Sequence, residues 1–284
     1  MMPFDPISPE IKQTILEAKE NGMTRMQICL QYGFDWETVL HCLNEPADQI
    51  IEKDMYHQGF RYTFKWVKYR LNLSQQDRDS PLLHKYLTEI TKNRYPLELF
   101  NNINIQRVSQ FRLNRLKRGV VTDIGKKLIA EGHITETISI HELTKIAKHT
   151  IAEHMIAKQS KPSHLDIQTK ILEEDSHSIA MEVPIWGSPP VTSDLVTGHI
   201  DIIRIMDDTI QIVDYKPENN FMPSLPQVAF YGILLRKSLN LKKLTCISFS
   251  SKKVWEYKPE ILYLINDILV DHNIKFFSWQ HFLK

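Results

Sequence analysis

The sequence predicts an α/β (α+β) fold, with a mostly helical N-terminal region ahead of a sheet-forming C-terminal half. Three observations carry this. Before residue 160 apolar residues often recur at helical spacing, as in Leu143, Ile146, Ala147 and Ile151. From about Ile167 the period becomes that of strands, in MEVPIWG, VTGHIDIIRI and TIQIVDY. A helical run over about 227–239 then separates these from two further strand candidates, 244–250 and 254–258.

Composition narrows the class. The 284 residues are 42% hydrophobic and 24% charged, ordinary for a soluble globular protein of one large or two modest domains. No apolar run approaches the roughly 18–20 residues needed to span a bilayer, so no membrane partner is expected. The N-terminus MMPFDPISPEIKQ lacks a basic start followed by an apolar core, and a cytoplasmic protein is expected. Cys29, Cys42 and Cys246 suit reduced thiols better than a disulfide framework, and three cysteines exclude a four-cysteine zinc or iron–sulfur site from this chain alone. The formal net charge of +1 hides an asymmetry. Residues 61–118 hold 13 Lys/Arg against 4 Asp/Glu, whereas residues 161–210 hold 3 against 9. Such a pair of regions suits an enzyme holding phosphates with one part and metal ions with the other, although uneven charge is also common on solvated faces.

In chain order, residues 9–45 read as three short helices. Pro9 opens the first, with Ile11, Ile15, Leu16 and Ala18 as a partial apolar face, and Gly22 stops it. Thr24 and Gln27 have capping-box spacing for the second, and Gly33 ends it. Asp35 caps the third. Two short helices around a glycine-containing turn resemble a helix-turn-helix, in which the second helix enters the DNA major groove. The third helix carries Glu37 and few cations, and a structural or protein-contact role stands beside DNA reading.

Residues 46–60 read as a linker leading into another helix. In FRYTFKWVKYRLNL, alternation places Tyr62, Phe64 and Trp66 on one strand face and Arg61, Thr63 and Lys65 on the other. A strand with a buried aromatic side is expected ahead of a base-stacking platform. Residues 74–79 are polar and turn-like, and Pro81 starts a helix running to about Lys92. Residues 104–160 read as mostly helical. The run 108–119 sets Arg112, Arg115, Lys117 and Arg118 beside an apolar side of Val108, Phe111, Leu113 and Leu116. Helices over about 123–131 and 139–158 follow, the latter carrying His141, His149 and His154. Met206, Asp207 and Asp208 read as a hairpin turn, and Pro259 as the start of a last helix to about His272.

The chemistry gathers in 182–231. Asp214 and Lys216 are two apart on a strand and project from one face. Asp201 lies 13 residues earlier, a distance that lets a hairpin set it beside Asp214, and Glu182 precedes it by a further 19. Hard carboxylate oxygens suit Mg2+, with Asp201 and Asp214 binding directly and Glu182 directly or through water. Lys216 is placed to orient a metal-activated water or to neutralise charge at the transition state. Gln227 and Tyr231, at i and i+4, share a helix face and can bind the substrate backbone or buttress the lysine. Gly198 leaves room for close approach. His199 is not counted as a ligand. Asp207 and Asp208 are simplest as turn residues.

Glu182, then Gly198-His-Ile-Asp201, Asp214-Tyr-Lys216 and Gln227-Val-Ala-Phe-Tyr231 resemble the PD-(D/E)XK nuclease superfamily, most closely its RecB-like exonuclease branch, over roughly 139–270. The resemblance implies a restriction-endonuclease-like core with a central mixed sheet flanked by helices, Mg2+ or Mn2+ dependence, and DNA cleavage. It also implies that Gln227 and Tyr231 belong to the site. The branch usually places a histidine on the helix before the acidic strand; His141-Glu-Leu143 is the nearest match, with His133, His149 and His154 as competitors, so His141 is carried as a candidate metal ligand. The iron–sulfur cysteines of some relatives are absent, so no cluster is expected, and no Walker motif supplies a motor.

The expected organisation is therefore a helix-turn-helix-like unit (1–50), a basic, mainly helical region (51–138) and a nuclease core (139–284). The expected function is a metal-dependent deoxyribonuclease, exonucleolytic or DNA-processing, as in DNA repair. Glu182, Asp201, Asp214 and Lys216 are its catalytic residues, and Arg112 and Arg115 join Gln227 and Tyr231 in holding substrate. The expected partners are DNA, as single strands or duplex ends, and a separate helicase or other DNA-processing protein. A non-catalytic DNA-binding or regulatory protein with a relict nuclease fold is the alternative, and the motif leaves RNA cleavage open.

Overall fold

Three short helices begin the chain: α1 (Pro9–Glu20), α2 (Arg25–Tyr32) and α3 (Trp36–Cys42). The computed structural model describes residues 7–23, 25–43, 49–74, 80–138, 141–217 and 220–283. Ser8 caps α1, its hydroxyl accepting from the Ile11 amide at 3.2 Å, and Asp35 caps α3 through the Thr38 amide at 2.8 Å. The expected Thr24 cap lies outside the described residues. Ile15, Ala18, Ile28, Val39 and Cys42 close a small core of their own. The α2–α3 junction faces the rest of the protein, where Cys29, Leu30 and Phe34 border a cavity shared with Ile146 and His149.

Residues 50–57 are a strand, where a linker leading to a helix is expected. β1 (Ile50–His57) and β2 (Phe60–Val67) form an antiparallel hairpin, with His57 paired to Phe60. Phe64 and Trp66 are buried, as alternation requires. Next come α4 (Lys68–Leu73), α5 (Ser80–Thr91) and α6 (Leu97–Asn101), then β3 (Gln106–Arg107). The expected helix over 108–119 is instead one 3₁₀ turn (Val108–Gln110) and irregular chain up to the start of the next helix at Arg118. That chain lies over a later segment, where the Leu113 amide donates to the Pro223 carbonyl at 2.8 Å. α7 (Arg118–Ala130) and β4 (Ile134–Ile138) follow. The basic region 51–138 is thus not only helical but supplies four strands to the main sheet.

The second half contains α8 (Glu142–Lys158), α9 (His164–Glu174), β5 (Ser178–Gly187), β6 (Val196–Met206), β7 (Thr209–Tyr215), a 3₁₀ turn (Met222–Ser224), α10 (Leu225–Leu239), β8 (Leu244–Phe249), β9 (Lys253–Tyr257) and α11 (Ile261–Asp271). α9 occupies residues expected to begin the strand region. The β6–β7 turn is the expected one, with Asp207 and Asp208 at φ +49 and +58.

Among the described residues the sheet has nine strands, in the order β1-β2-β5-β6-β7-β8-β9-β4, with β3 added parallel to β6. β7 and β8 are parallel, joined by α10, and the other pairings along that order are antiparallel, so the sheet is mixed. Two apolar layers cover it. One joins α7, α10 and α11 to residues such as Val183, Ile200 and Ile212. The other joins α8 and α9 to Met181, Ile202 and Val213. Among the described residues no helix is long and apolar enough to cross a membrane.

Candidate active site

Residues i and i+2 of a regular strand share a face. Met181 and Val183 do not, nor do Ile200 and Ile202: in each pair one residue joins each apolar layer. The switch on β5 occurs at Glu182, whose φ of +52 is a left-handed conformation inside a strand. Met181 pairs with Ile202 and Val183 with Ile200, so Glu182 stands opposite Asp201. Between β6 and β7 the ladder stops at Ile202–Val213. Asp201 and Asp214 are the next residues, facing each other where the backbones have parted. Three carboxylates therefore sit at one level on three neighbouring strands. Strained backbone of this kind persists where the surroundings over-determine it, and functional sites are where it clusters.

A histidine completes the group. His164, the first residue of α9, brings Nε2 to 2.8 Å from Asp201 Oδ2. One atom each of His164, Asp201 and Asp214 lie within 4.8 Å of one another. Ser163 and Asp166 form a full capping box that fixes this helix end and the imidazole on it. Lys216 Nζ is 2.7 Å from Asp214 Oδ2. Asp214 is buried, while Glu182, Asp201 and Lys216 are half-buried.

The electrostatics are those of crowded carboxylates. Burial, and then the charge of Asp201, push Glu182 up to about 8 against the opposing His164 and Gln168. Asp214 is raised by burial and by Asp201, with Lys216 opposing. Asp201 feels the same burial, but hydrogen bonding and charge from His164, with a hydrogen bond from Asp214, hold it well below the usual carboxylate range. His164 is raised: burial opposes, but Asp201 and Asp214 prevail. Lys216 and His164 face three carboxylates, and this oxygen-rich donor set with one imidazole fits a divalent cation.

Gln227 and Tyr231 reach the same place from α10. Gln227 Nε2 donates to the Tyr231 hydroxyl at 3.3 Å, and Arg112 Nη2 to Gln227 Oε1 at 3.4 Å. Tyr231 packs on Gly198, where a Cβ would come 2.5 Å from its ring. Arg115 instead stacks over Phe276, 5.9 Å from the ring centroid.

His141 is elsewhere. It is the N-cap of α8, its Nδ1 accepting from the Leu143 amide at 3.2 Å, and burial followed by Arg204 lowers it to about 4. His149 and His154 face Glu153 and Asp166, and His133 faces Glu131. His199 points away from the acids and stacks on Tyr62, with ring centroids 4.0 Å apart. The histidine in the cluster, His164, was missed by reasoning from sequence. Its available signal was the capping-box pair Ser163 and Asp166, which marks a helix start 18 residues before Glu182. A cavity of about 590 Å³, lined by His133, Thr245 and Tyr263 among others, lies at the opposite end of β8 from the acids.

Comparison with protein-family models, with curated proteins and with solved structures finds no match.

Proposed function

We propose that the chain is a metal-dependent nuclease of the PD-(D/E)XK type, RecB-like, hydrolysing phosphodiester bonds in DNA. The observation that carries this is the convergence of Glu182, Asp201, Asp214 and Lys216 from three adjacent strands, with His164 closing the group. The α/β architecture, with helices on both faces of a mixed sheet, is compatible with the restriction-endonuclease-like core that the motifs imply. Asp201 and Asp214 would hold Mg2+ or Mn2+, with Glu182 and His164 beside them. When bound, such an ion polarises a phosphoryl oxygen and acidifies a water.

The chain's own groups do the remaining work. The Lys216 ammonium, steered by Asp214, is placed to neutralise charge developing on the phosphoryl oxygens. The Arg112–Gln227–Tyr231 string presents donors to the strand being cut and seats Tyr231 against Gly198, three residues from Asp201. Glu182 and Asp214 are drawn toward neutral by burial, and a bound cation would favour their ionised forms.

The test is a panel of end-labelled single-stranded, duplex and flap DNA with Mg2+, Mn2+ or chelator. Asp214→Ala and Lys216→Ala should each lower cleavage by about 10²–10³-fold or more while DNA binding persists. Absence of divalent-dependent cleavage by the wild type on every substrate would overturn the enzyme reading.

A further inference from the structure

A further cavity, of about 250 Å³, has Trp255 in its wall, two strands across the sheet from Asp214 through Ser248. α7 builds one wall: Arg118, Thr122, Gly125, Lys126 and Ile129 lie at i, i+4, i+7, i+8 and i+11, a single helix face. β4 and β9 build another, with Glu136 paired in register to Trp255. The third is Phe221 and Met222, and Gly125 is where Met222 approaches most closely: a Cβ there would come 2.8 Å from its Cγ. Phe221 stacks on Trp255, ring centroids 4.4 Å apart, and makes an apolar floor.

The charge in this cavity is one-sided. Glu136 is the lone acid among its lining residues, and both its oxygens are engaged, by Lys253 Nζ at 2.8 Å and Trp255 Nε1 at 2.7 Å. Arg118 and Lys126 are exposed and have no carboxylate within ion-pairing distance among the described residues. Two cations without a carboxylate partner among the described residues, over an aromatic floor, form an anion site. Its position names the anion. Phe221 and Met222 lie in the chain between Lys216 and Gln227, and Arg112, which touches Gln227, lies six residues before Arg118. Trp255, Ser248 and Asp214 lie in register on β9, β8 and β7, so a strand crossing the acids along that line would pass this cavity.

Resting on the nuclease reading, we propose that the Arg118–Lys126 cavity holds a phosphate of the nucleic-acid strand flanking the cut. The two cations supply binding and register; bond cleavage belongs to the acids.

The experiment is fluorescence anisotropy of the full chain with labelled single-stranded and duplex DNA, in chelator to prevent cleavage, between 50 and 200 mM salt. R118A/K126A should reduce the magnitude of the log K versus log salt slope by about 0.7–0.9, the loss of one phosphate contact. R118K/K126R should keep it. K242A/K243A, at the other end of β8, should match the wild type. With Mg2+, R118A/K126A should raise KM at nearly unchanged kcat. Oligonucleotides with and without terminal phosphates separate a backbone phosphate from a terminal one as the occupant. Circular dichroism verifies that each variant is folded. If the wild type binds and cleaves DNA but R118A/K126A keeps its slope and KM, the cavity assignment falls and the nuclease stands. If the wild type neither binds nor cleaves, both fall.

Discussion

Glu182 holds the least comfortable position in the chain, with left-handed backbone, a half-buried carboxyl and a second carboxyl directly opposite. In the metal-free protein it takes up a proton at a pH where an unfolded glutamate, near 4.3, is already ionised. The folded state therefore binds more protons between about pH 4 and 8. Stability from this group is fully present below that window and declines as pH rises through it. Thermal melts in chelator should show falling stability from pH 5 to 8, and Glu182→Gln should flatten the decline. Gly198 is the complementary position: Gly198→Ala drives a methyl into the Tyr231 ring. It should destabilise by about 1–3 kcal/mol in denaturant titrations and lower cleavage by displacing the Gln227–Tyr231 pair. The acids were legible in the sequence because apolar strand residues flank each of them. His164 was not, since a single exposed imidazole in a polar stretch carries no periodicity, and only the capping residues around it mark its place.

At the scale of elements, α9 is what carries His164 to the sheet, and both of its ends are fastened. Ser163 and Asp166 secure the N-terminus. At the other end Arg70 of α4 donates to the carbonyls of Leu172, Glu173 and Asp175, groups a helix end leaves without partners, and to that of Ser178 at the start of β5. Beside it the fully buried Asp175 meets Arg204 of β6 through Nη2–Oδ1 and Nε–Oδ2 contacts, each 3.0 Å. Asp175→Ala leaves Arg204 buried without its closest counter-charge and should cost about 3–5 kcal/mol in chemical denaturation. Burial would raise Asp175, but Arg204, His177, Ser178 and Arg70 together outweigh it and the folded-state value is depressed. Its contribution is present above the unfolded value, near 3.9, and is lost as pH falls below it, so acid melts should steepen there in the wild type alone. Elements were legible where one period ran uninterrupted, as in α10 and β7. β1 was hidden because Ile50 and Ile51 open it side by side and charged residues then dominate its exposed positions. The run 108–119 imitates a helix because Val108, Phe111, Leu113 and Leu116 fall at near-helical intervals, although they serve an irregular chain laid over α10. α9 was overlooked although Ile167, Ile171 and Leu172 mark a helical stripe, because the strand signal of β5 follows so closely.

For the whole molecule, a cation seated among the acids should act as a global stabiliser, since the cluster exists only when β5, β6, β7 and α9 are assembled. At a hundred times its dissociation constant, Mg2+ or Mn2+ should add about 2.7 kcal/mol, read as a rise in Tm. Asp214→Ala should show no such rise. The mixed α/β class was readable from the change of period along the chain. That one sheet draws strands from residues 50–138 as well as from the second half was not, because strand pairing between distant segments leaves no local mark. This pairing also sets a timetable. The three acids come from residues 182–214, a stretch made in about 2–7 s at 5–20 residues per second. Ile134 of β4 pairs with Tyr257 of β9, so that strand waits about 6–25 s for its partner to be made. The strands that carry the acids are therefore made before β9, and the sheet's far edge can close only after them.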